Sequence, residues 1–522
     1  MRKFLFFTLI GWLSSVTLHA QVQVAPPLKR DFIPSMGFLA SDYMKGREVG
    51  SRESFMAADY IVSQMLQTGL LPGSGNAYFQ DFAIIRSKVQ AGSLTLISHG
   101  QGKADVHTFQ AGSDFVAEGA ITDISVFAPL VYAGYGLVAP YAGVNDYAAL
   151  NAKGSVVVVY DGCRTTGNST GVSAFATGKI LDEADYTTEA KKRNAIARGA
   201  AALILICSDS AFAVHQAGHS YANPSYTAFG AGTAEIPAYT DADWYLTGDQ
   251  GGITLFYVNQ RLGKALLDAE GLKIELKKSS QPHPDSRNRG KLGNCEVQIS
   301  LSTSTETLTG RNVLGLIRGA DTTRCVVIGA HYDHLGERNG LIYSGSDDNA
   351  SGVAGMLALA AAWKRSGVQP PVNLLFAAWA GEEKGHLGSR YFVNNHDFNK
   401  TGILLNLNFD MISRSDEADT ARNILSIGML QGSNDLRQMA MMENSRLNRP
   451  FNLDLWETKG GGGSDYAAFS LRKIPVMSFF TGFHKDYHSP GDTFAKADHD
   501  KMEAVLQLAN RLLVAYLSLN IR

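Results

Sequence analysis

The sequence contains little of several features that would each restrict the class of protein. Its 522 residues include only four cysteines and 15 prolines, and charged residues make up 18% of the chain, below the ~25% that is typical. The four cysteines are too few for a disulfide scaffold, although their oxidation would allow three pairings. Hydrophobic residues make up 45%, so the composition excludes a disordered or highly charged polypeptide.

Long runs of basic residues are also missing, and the formal net charge is −2. A nucleic-acid partner therefore has no electrostatic support. Beyond the N-terminus no segment is apolar for long enough to span a bilayer, so we predict no transmembrane segment in the mature chain. The length suits either about three domains of ~150 residues or one large α/β domain with an insert.

The first 20 residues, MRKFLFFTLIGWLSSVTLHA, have the layout of a secretory signal peptide. Two basic residues precede an apolar run from Phe4 to Trp12, and a more polar segment ends at Ala20. A membrane anchor needs about 20 predominantly apolar residues, and four polar residues interrupt this run. We therefore expect cleavage after Ala20 and export to the periplasm or the extracellular space.

The rest of the chain divides into regions that differ in their pattern of apolar and turn-forming residues. An amphipathic helix is predicted from Ser54 to Leu70, and residues 121–258 carry short β-rich runs separated by Gly, Asn, Ser and Asp clusters. After a polar, Pro-containing stretch at 279–293, apolar strands alternate with helical patterns, as expected of a sheet with parallel strands. We predict a signal peptide at 1–20, the N-terminal part of the main domain at 21–117, an insert at 118–280 and the remainder of the main domain at 281–522.

Histidines and carboxylates follow the apolar strands of this second half. Ligands bind at the carboxyl ends of strands in such sheets, so these positions indicate a site. The sequence HYDH follows CVVIGA, two glutamates follow NLLFAAWAG, an aspartate follows ILLNLNF, and a loop with two histidines follows IPVMSFF. The resulting candidates are His331, Asp333, Asp347, Asp348, Glu382, Glu383, Asp410, His484 and His488.

Carboxylates from four segments at one sheet edge would repel one another unless divalent cations neutralised them. Mixed His, Asp and Glu ligation without cysteine suits Zn²⁺ in a catalytic site, with Mn²⁺ or Co²⁺ as alternatives. The number of acids predicts two ions that share a bridging carboxylate.

Each motif also has a simpler explanation when it is considered alone. Asp347 or Asp348 is expected to cap the helix that begins near Ala350, and two glutamates are favourable at a helix N-terminus. Together, however, these explanations would be an improbable coincidence at one sheet edge. We interpret His484, together with three histidines outside that set, as structural or surface residues: His334, His386 and His499.

The stretches GAHYDHLG, SGSDDNASG, AAWAGEEKG, LNFDM and YHSPGDT occur in this order and together resemble the secreted zinc-dependent aminopeptidase family with two co-catalytic metals. Relatives of that family include glutamate carboxypeptidase, glutaminyl cyclase and the non-enzymatic transferrin receptor. The resemblance implies an α/β fold, with a mixed, mostly parallel sheet sandwiched by helices and a β-rich protease-associated domain inserted. It also implies peptide substrates and two Zn²⁺ ions per chain.

Carried over by motif position, His331 and Asp410 would hold one metal, Glu383 and His488 the other, and Asp348 would bridge them. The resemblance further implies that Glu382 is the general base. Asp333 lies two residues from His331 on the same side of an extended segment and is expected to orient its imidazole.

Three alternatives stay open beside an aminopeptidase. A carboxypeptidase of the same fold would need an arginine cluster to grip a substrate carboxylate, and the arginines near the motifs are scattered: Arg338, Arg390, Arg414 and Arg422. Glutaminyl cyclases resemble only the peptidase core. A receptor-like binding protein would use the insert as its working part.

Overall fold

The computed structural model describes residues 24–99, 104–120, 122–148, 150–163, 175–176, 179–181, 183–217, 243–247, 252–269 and 291–520. The strands are β1 Leu71–Pro72, β2 Phe79–His99, β3 Ala104–Gln110, β4 Phe115–Glu118, β5 Ile124–Tyr132, β6 Val138–Ala139, β7 Val144–Asn145, β8 Val156–Tyr160, β9 Phe175–Ala176, β10 Lys179–Ile180, β11 Ala202–Ile206, β12 Asp243–Leu246, β13 Leu255–Val258, β14 Lys291–Ile317, β15 Asp321–His331, β16 Gly336–Arg338, β17 Leu341–Tyr343, β18 Val372–Trp379, β19 Gly402–Phe409, β20 Ile424–Leu430, β21 Asn452–Thr458 and β22 Val476–Phe480.

The helices are α1 Lys29–Leu39, α2 Arg52–Thr68, α3 Glu183–Tyr186, α4 Thr188–Ile196, α5 Asp209–Ala217, α6 Gln260–Ala269, α7 Gly352–Ser366, α8 Leu387–Asn395, α9 Asn434–Ser445, α10 Tyr466–Leu471 and α11 His499–Asn520. The predicted signal peptide lies outside the described residues. Within the described ranges, no helix combines the length and the apolar character that a membrane crossing requires.

The C-terminal half of the chain forms a mixed sheet in the order β21-β20-β22-β19-β15-β18-β14. Strands β18, β15, β19 and β22 are mutually parallel, whereas β14 and β20 run antiparallel to their neighbours in this group. The predicted strands are therefore present, and their carboxyl ends meet at one edge. The β20 and β21 pair was missing from the sequence prediction.

Helices cover both faces of this sheet. Alternate residues of β15 point to opposite sides, since Val326 and Ile328 join the core beneath α1, α2, α7 and α11, while Cys325 and Val327 join the core beneath α8 and α10. The helix α7 is almost entirely buried, which its Ala-rich sequence allows because small side chains let the helix approach the sheet closely. The predicted fold class is confirmed for this part of the chain.

The middle of the chain forms a second group of strands, with β5, β8, β11 and β13 parallel in that order and β4 antiparallel at the end. It also contains α4, α5 and α6, so it is less purely β-structured than its sequence indicates. The four cysteines of the chain are buried free thiols.

One long antiparallel pair belongs to both groups of strands. Strand β14 pairs with β2 from Cys295 opposite Ser98 to Val313 opposite Phe79. Its first part also pairs with β5 of the middle region and its last part with β18 of the C-terminal sheet. The predicted boundaries at 117/118 and 280/281 stay predictions.

Candidate metal centre

The carboxyl edge of the C-terminal sheet gathers the predicted site residues from five segments. His331 ends β15, Glu382 and Glu383 follow β18, Asp410 follows β19, and His488 lies in the loop after β22. The turn Ser346–Ser351 before α7 contributes Asp348. These residues form three overlapping groups, one of which also includes His334, and within each group the potential ligand atoms lie within 4.8 Å of one another.

Asp348 lies at the centre of the cluster. Its Oδ1 is 3.4 Å from His331 Nε2, and its Oδ2 is 3.0 Å from His488 Nε2. The two oxygens of one carboxylate therefore face two different imidazoles, as a bridging ligand requires.

The first group combines Asp348 with His331 and Asp410, and the His331 Nε2 lies 3.3 Å from Asp410 Oδ1. The other ring nitrogen, Nδ1, donates a hydrogen bond to the main-chain carbonyl of Asp333 at 3.2 Å. This bond places a proton on Nδ1 and leaves Nε2 as the nitrogen that faces the carboxylates, which is the orientation that a metal ligand needs.

The orienting contact from Asp333 therefore comes mainly from its carbonyl. The Asp333 carboxylate is 3.9 Å from the ring of His331 and instead accepts the Glu382 N–H at 3.1 Å. Asp333 thus connects the first histidine to the backbone of the paired glutamates.

The second group combines Asp348 with Glu383, His488 and His334. Glu383 Oε2 is 3.3 Å from His488 Nε2. His334 Nδ1 donates to Glu383 Oε1 at 2.6 Å. The sequence places His334 among the structural or surface histidines and does not predict its position beside Glu383. The second histidine of HYDH, placed after a strand that already ends in a candidate ligand, was the available signal.

Glu382 lies beside the first group. Its Oε2 is 3.8 Å from His331 Nε2, and its Oε1 is 3.3 Å from His386 Nε2. His386 was likewise interpreted as a structural or surface residue. Burial raises the pKa of Glu382 well above its usual value, and the nearby Asp410 and Glu383 carboxylates add to this effect.

The neighbouring glutamate titrates in the opposite direction. Burial opposes ionisation of Glu383, but His488 and His334 outweigh burial and hold its pKa well below the usual value. Burial also opposes protonation of His331, yet Glu382 and Asp410 raise the His331 pKa well above its usual value. The raised pKa of His331 reflects surrounding carboxylates whose charge favours a cation, whereas the lowered pKa of Glu383 reflects its two histidine neighbours.

A further buried network holds the turn that carries Asp348. The carboxylate of Asp492 accepts the N–H groups of Asp347 and Asp348 at 2.9 and 3.0 Å. Asp347 in turn accepts the N–H and the hydroxyl of Ser413. The prediction that one of the two aspartates caps α7 was wrong: Asn349 Oδ1 accepts the Gly352 N–H at 2.9 Å, because both carboxylates are directed elsewhere.

Arg47, from the N-terminal part of the chain, donates hydrogen bonds to the backbone of two loops that carry site residues. Its fully buried guanidinium donates to the carbonyls of Tyr332 at 2.7 Å, Ser344 at 2.8 Å and Gly345 at 2.9 Å, and also to Leu39. The loop after β15 and the loop before Asp348 are therefore tied to one cation.

Comparison with known proteins agrees with this geometry. Residues 312–513 match the model of peptidase family M28. Leupeptin-inactivating enzyme 1 of Streptomyces exfoliatus is 33% identical over 198 residues, which are 37% of this chain and 41% of that protein. Probable leucine aminopeptidase 2 of Aspergillus fumigatus is 28% identical over 270 residues, which are 50% and 49% of the two chains.

The chain thus spans about half or less of the length of the curated relatives that it matches. Among solved structures, an aminopeptidase from Aneurinibacillus sp. strain AM-1 aligns over 93% of both chains, with a TM-score of 0.53 and 20% sequence identity. This likeness shows a shared fold.

Proposed function

We propose that this chain is an exported aminopeptidase that hydrolyses the N-terminal peptide bond of peptides with the help of two Zn²⁺ ions. The observation that carries the proposal is Asp348, whose two carboxylate oxygens face two separate groups of ligand-type residues. The match to peptidase family M28 and the aminopeptidase names of the relatives support the same reaction class.

The donor set fits zinc. His331, Asp348 and Asp410 would hold one ion, and Asp348, Glu383 and His488 the other, with nitrogen and oxygen donors and without cysteine. When bound, the two ions would act as Lewis acids that polarise the scissile carbonyl and make water acidic enough to lose a proton near neutral pH.

Glu382 is the proposed general base. Its carboxylate takes the proton from the attacking water as the carbon–oxygen bond forms, and it returns a proton to the leaving amine as the carbon–nitrogen bond breaks. Asp333 positions the reaction by holding the Glu382 N–H and the ring of His331.

A carboxypeptidase is less well supported, because the arginines near the motifs already have partners. Arg414 pairs with Asp486 at 2.7 Å, Arg338 with Glu48 at 3.4 Å, and Arg422 with Asp498 at 3.5 Å. Arg390 donates to the Gly385 carbonyl. A receptor-like role is less well supported because every proposed ligand position holds a residue able to bind a metal.

The two glutamates provide the sharpest test. Glu382→Gln keeps the size and removes the base, so two metals should still bind while kcat falls by ~10²–10⁴-fold and KM changes little. Glu383→Gln should instead weaken metal binding, because a neutral amide is a poorer ligand.

Elemental analysis of the purified variants and assays on amino-acid anilides, with N-blocked and C-terminal substrates as controls, measure both effects. Added Zn²⁺ should partly restore Glu383→Gln and leave Glu382→Gln inactive. The proposal would be refuted if the wild-type protein held no tightly bound metal or if chelators left its activity unchanged. Rescue of only the Glu382 variant by Zn²⁺ would mean that Glu382 is the ligand and Glu383 the base.

A further inference from the structure

We infer that His334 is a positioning residue for the second metal: its Nδ1–H holds one oxygen of Glu383, so that the other oxygen is directed at the ion. This inference rests on the proposed function. It concerns a side chain that the proposed ligand set leaves out.

The atoms of Glu383 divide their contacts in the way that this role requires. Oε1 accepts from His334 Nδ1 at 2.6 Å, whereas Oε2 lies 3.3 Å from His488 Nε2. A carboxylate fixed through one oxygen loses the freedom to rotate the other away from the metal. Hydrogen bonds of this kind to ligating carboxylates typically change metal affinity by about 10–100-fold.

The imidazole of His334 sits in a slot built for it. The residue is fully buried, and its Nε2 has no hydrogen-bond partner among the described residues. A Cβ at Gly345 would lie 2.4 Å from Cγ of the ring, so this position has room only for glycine. Gly345 also has a φ of +56°, a backbone conformation that favours glycine independently of the steric restriction.

The backbone around the ring is also fixed. The His334 N–H donates to the carbonyl of Arg47 at 3.4 Å, and the Arg47 guanidinium donates to the carbonyl of Gly345. The same slot thus presents the Nδ1–H of the ring to Glu383 and leaves little space for another rotamer. Among the described residues, the shortest polar contact of the ring is with Glu383, a proposed metal ligand.

Direct ligation is the main rival role, since His334 Nδ1 is also 3.7 Å from Asp348 Oδ2. The two roles differ in what a substitution retains. An asparagine places an amide N–H close to the position of Nδ1 and preserves the hydrogen bond, but it is a poor replacement for an imidazole ligand.

The test compares wild-type chain, His334→Asn and His334→Ala, with His396→Ala as the control. His396 bonds the Thr401 carbonyl at 2.7 Å in another part of the domain. Zn²⁺ affinity is measured by competition with a chromophoric chelator, and the Co²⁺-substituted forms are compared by visible absorption, which reports the coordination of the ion.

We expect His334→Ala to lose about 10–100-fold in affinity for one of the two ions, and His334→Asn and His396→Ala to stay within about threefold of wild type. The Co²⁺ spectra of wild type and His334→Asn should coincide. Unchanged Zn²⁺ affinity in His334→Ala would overturn the inference about His334. If wild type in the same experiment bound two metals, the proposed function would still stand. If His334→Asn lost as much Zn²⁺ affinity as His334→Ala and its Co²⁺ spectrum changed, His334 would be a direct ligand and not a positioning residue. A wild-type protein without metal would overturn both proposals.

Discussion

Replacing Arg47 should destabilise the protein more than most single substitutions. The guanidinium bonds four buried carbonyls, and hydrogen bonds to a charged group contribute ~1.5–3 kcal/mol each. Burial lowers the Arg47 pKa to about 10, and that shift corresponds to a cost of ~3 kcal/mol for keeping the charge inside. The bonds outweigh this cost, so we expect Arg47→Met to lose ~4 kcal/mol of unfolding free energy, because it removes a charged donor from four buried carbonyls.

The assay is urea unfolding followed by tryptophan fluorescence, with Arg47→Lys as the matched control. Lysine keeps the charge but cannot reach all four carbonyls from one ammonium group, so its loss should fall between wild type and Arg47→Met. Measurements with excess Zn²⁺ and with chelator separate the loss of stability from a loss of metal. An Arg47→Met chain within ~1 kcal/mol of wild type would refute the reasoning, since it would mean that water or rearranged loops satisfy these carbonyls.

Two further predictions concern the middle region. Burial lowers the Lys191 pKa to about 8 from its ordinary 10.5. Between these two pH values the unfolded chain binds more protons than the folded chain, so the unfolding free energy should rise with pH by up to ~3 kcal/mol. An unfolding free energy with the same pH dependence in wild type and Lys191→Met would contradict this. Trp244 lies over the ammonium of Lys384, which also pairs with Glu48 at 3.0 Å and directly follows Glu383. Trp244→Ala should therefore lower kcat/KM several-fold with metal content unchanged, and Trp244→Phe should lower it less, in anilide assays; a kcat/KM equal to wild type would show that this contact does not reach the site.

Much of the sheet and of the site follows from local patterns. The strands that end at His331, Trp379 and Phe409 are nearly continuous apolar runs, and parallel strands bring whatever follows each run to the same edge. The predicted ligands therefore lie together in the structure. Strands β20 and β21 were missed because a strand near or at the margin of a sheet alternates polar and apolar residues and lacks a continuous apolar run.

The contacts that support the site were harder to predict, because they depend on residues far apart in sequence. Arg47 bonds Tyr332 across 285 positions, and no local pattern distinguishes it from a surface arginine. Asn349 caps α7 in place of its acidic neighbours, since the Asp347 carboxylate accepts from Ser413 and the Asp348 carboxylate faces two histidines. His334 looked ordinary in the sequence, since its partner Glu383 belongs to a different strand end.

The long pair of β2 and β14 has a consequence for the order of folding. The helices α1 and α2 pack against α7, so the main domain cannot be completed until the chain beyond the middle region has been synthesised. Pairing of Ser98 with Cys295 brings the two ends of that region together and shortens the loop that must close between Arg47 and Tyr332. Each halving of a loop saves ~0.6 kcal/mol of closure entropy. A middle region that folds first would therefore speed assembly of the metal centre, and slow folding there would leave the apolar faces of α1 and α2 exposed to aggregation during synthesis.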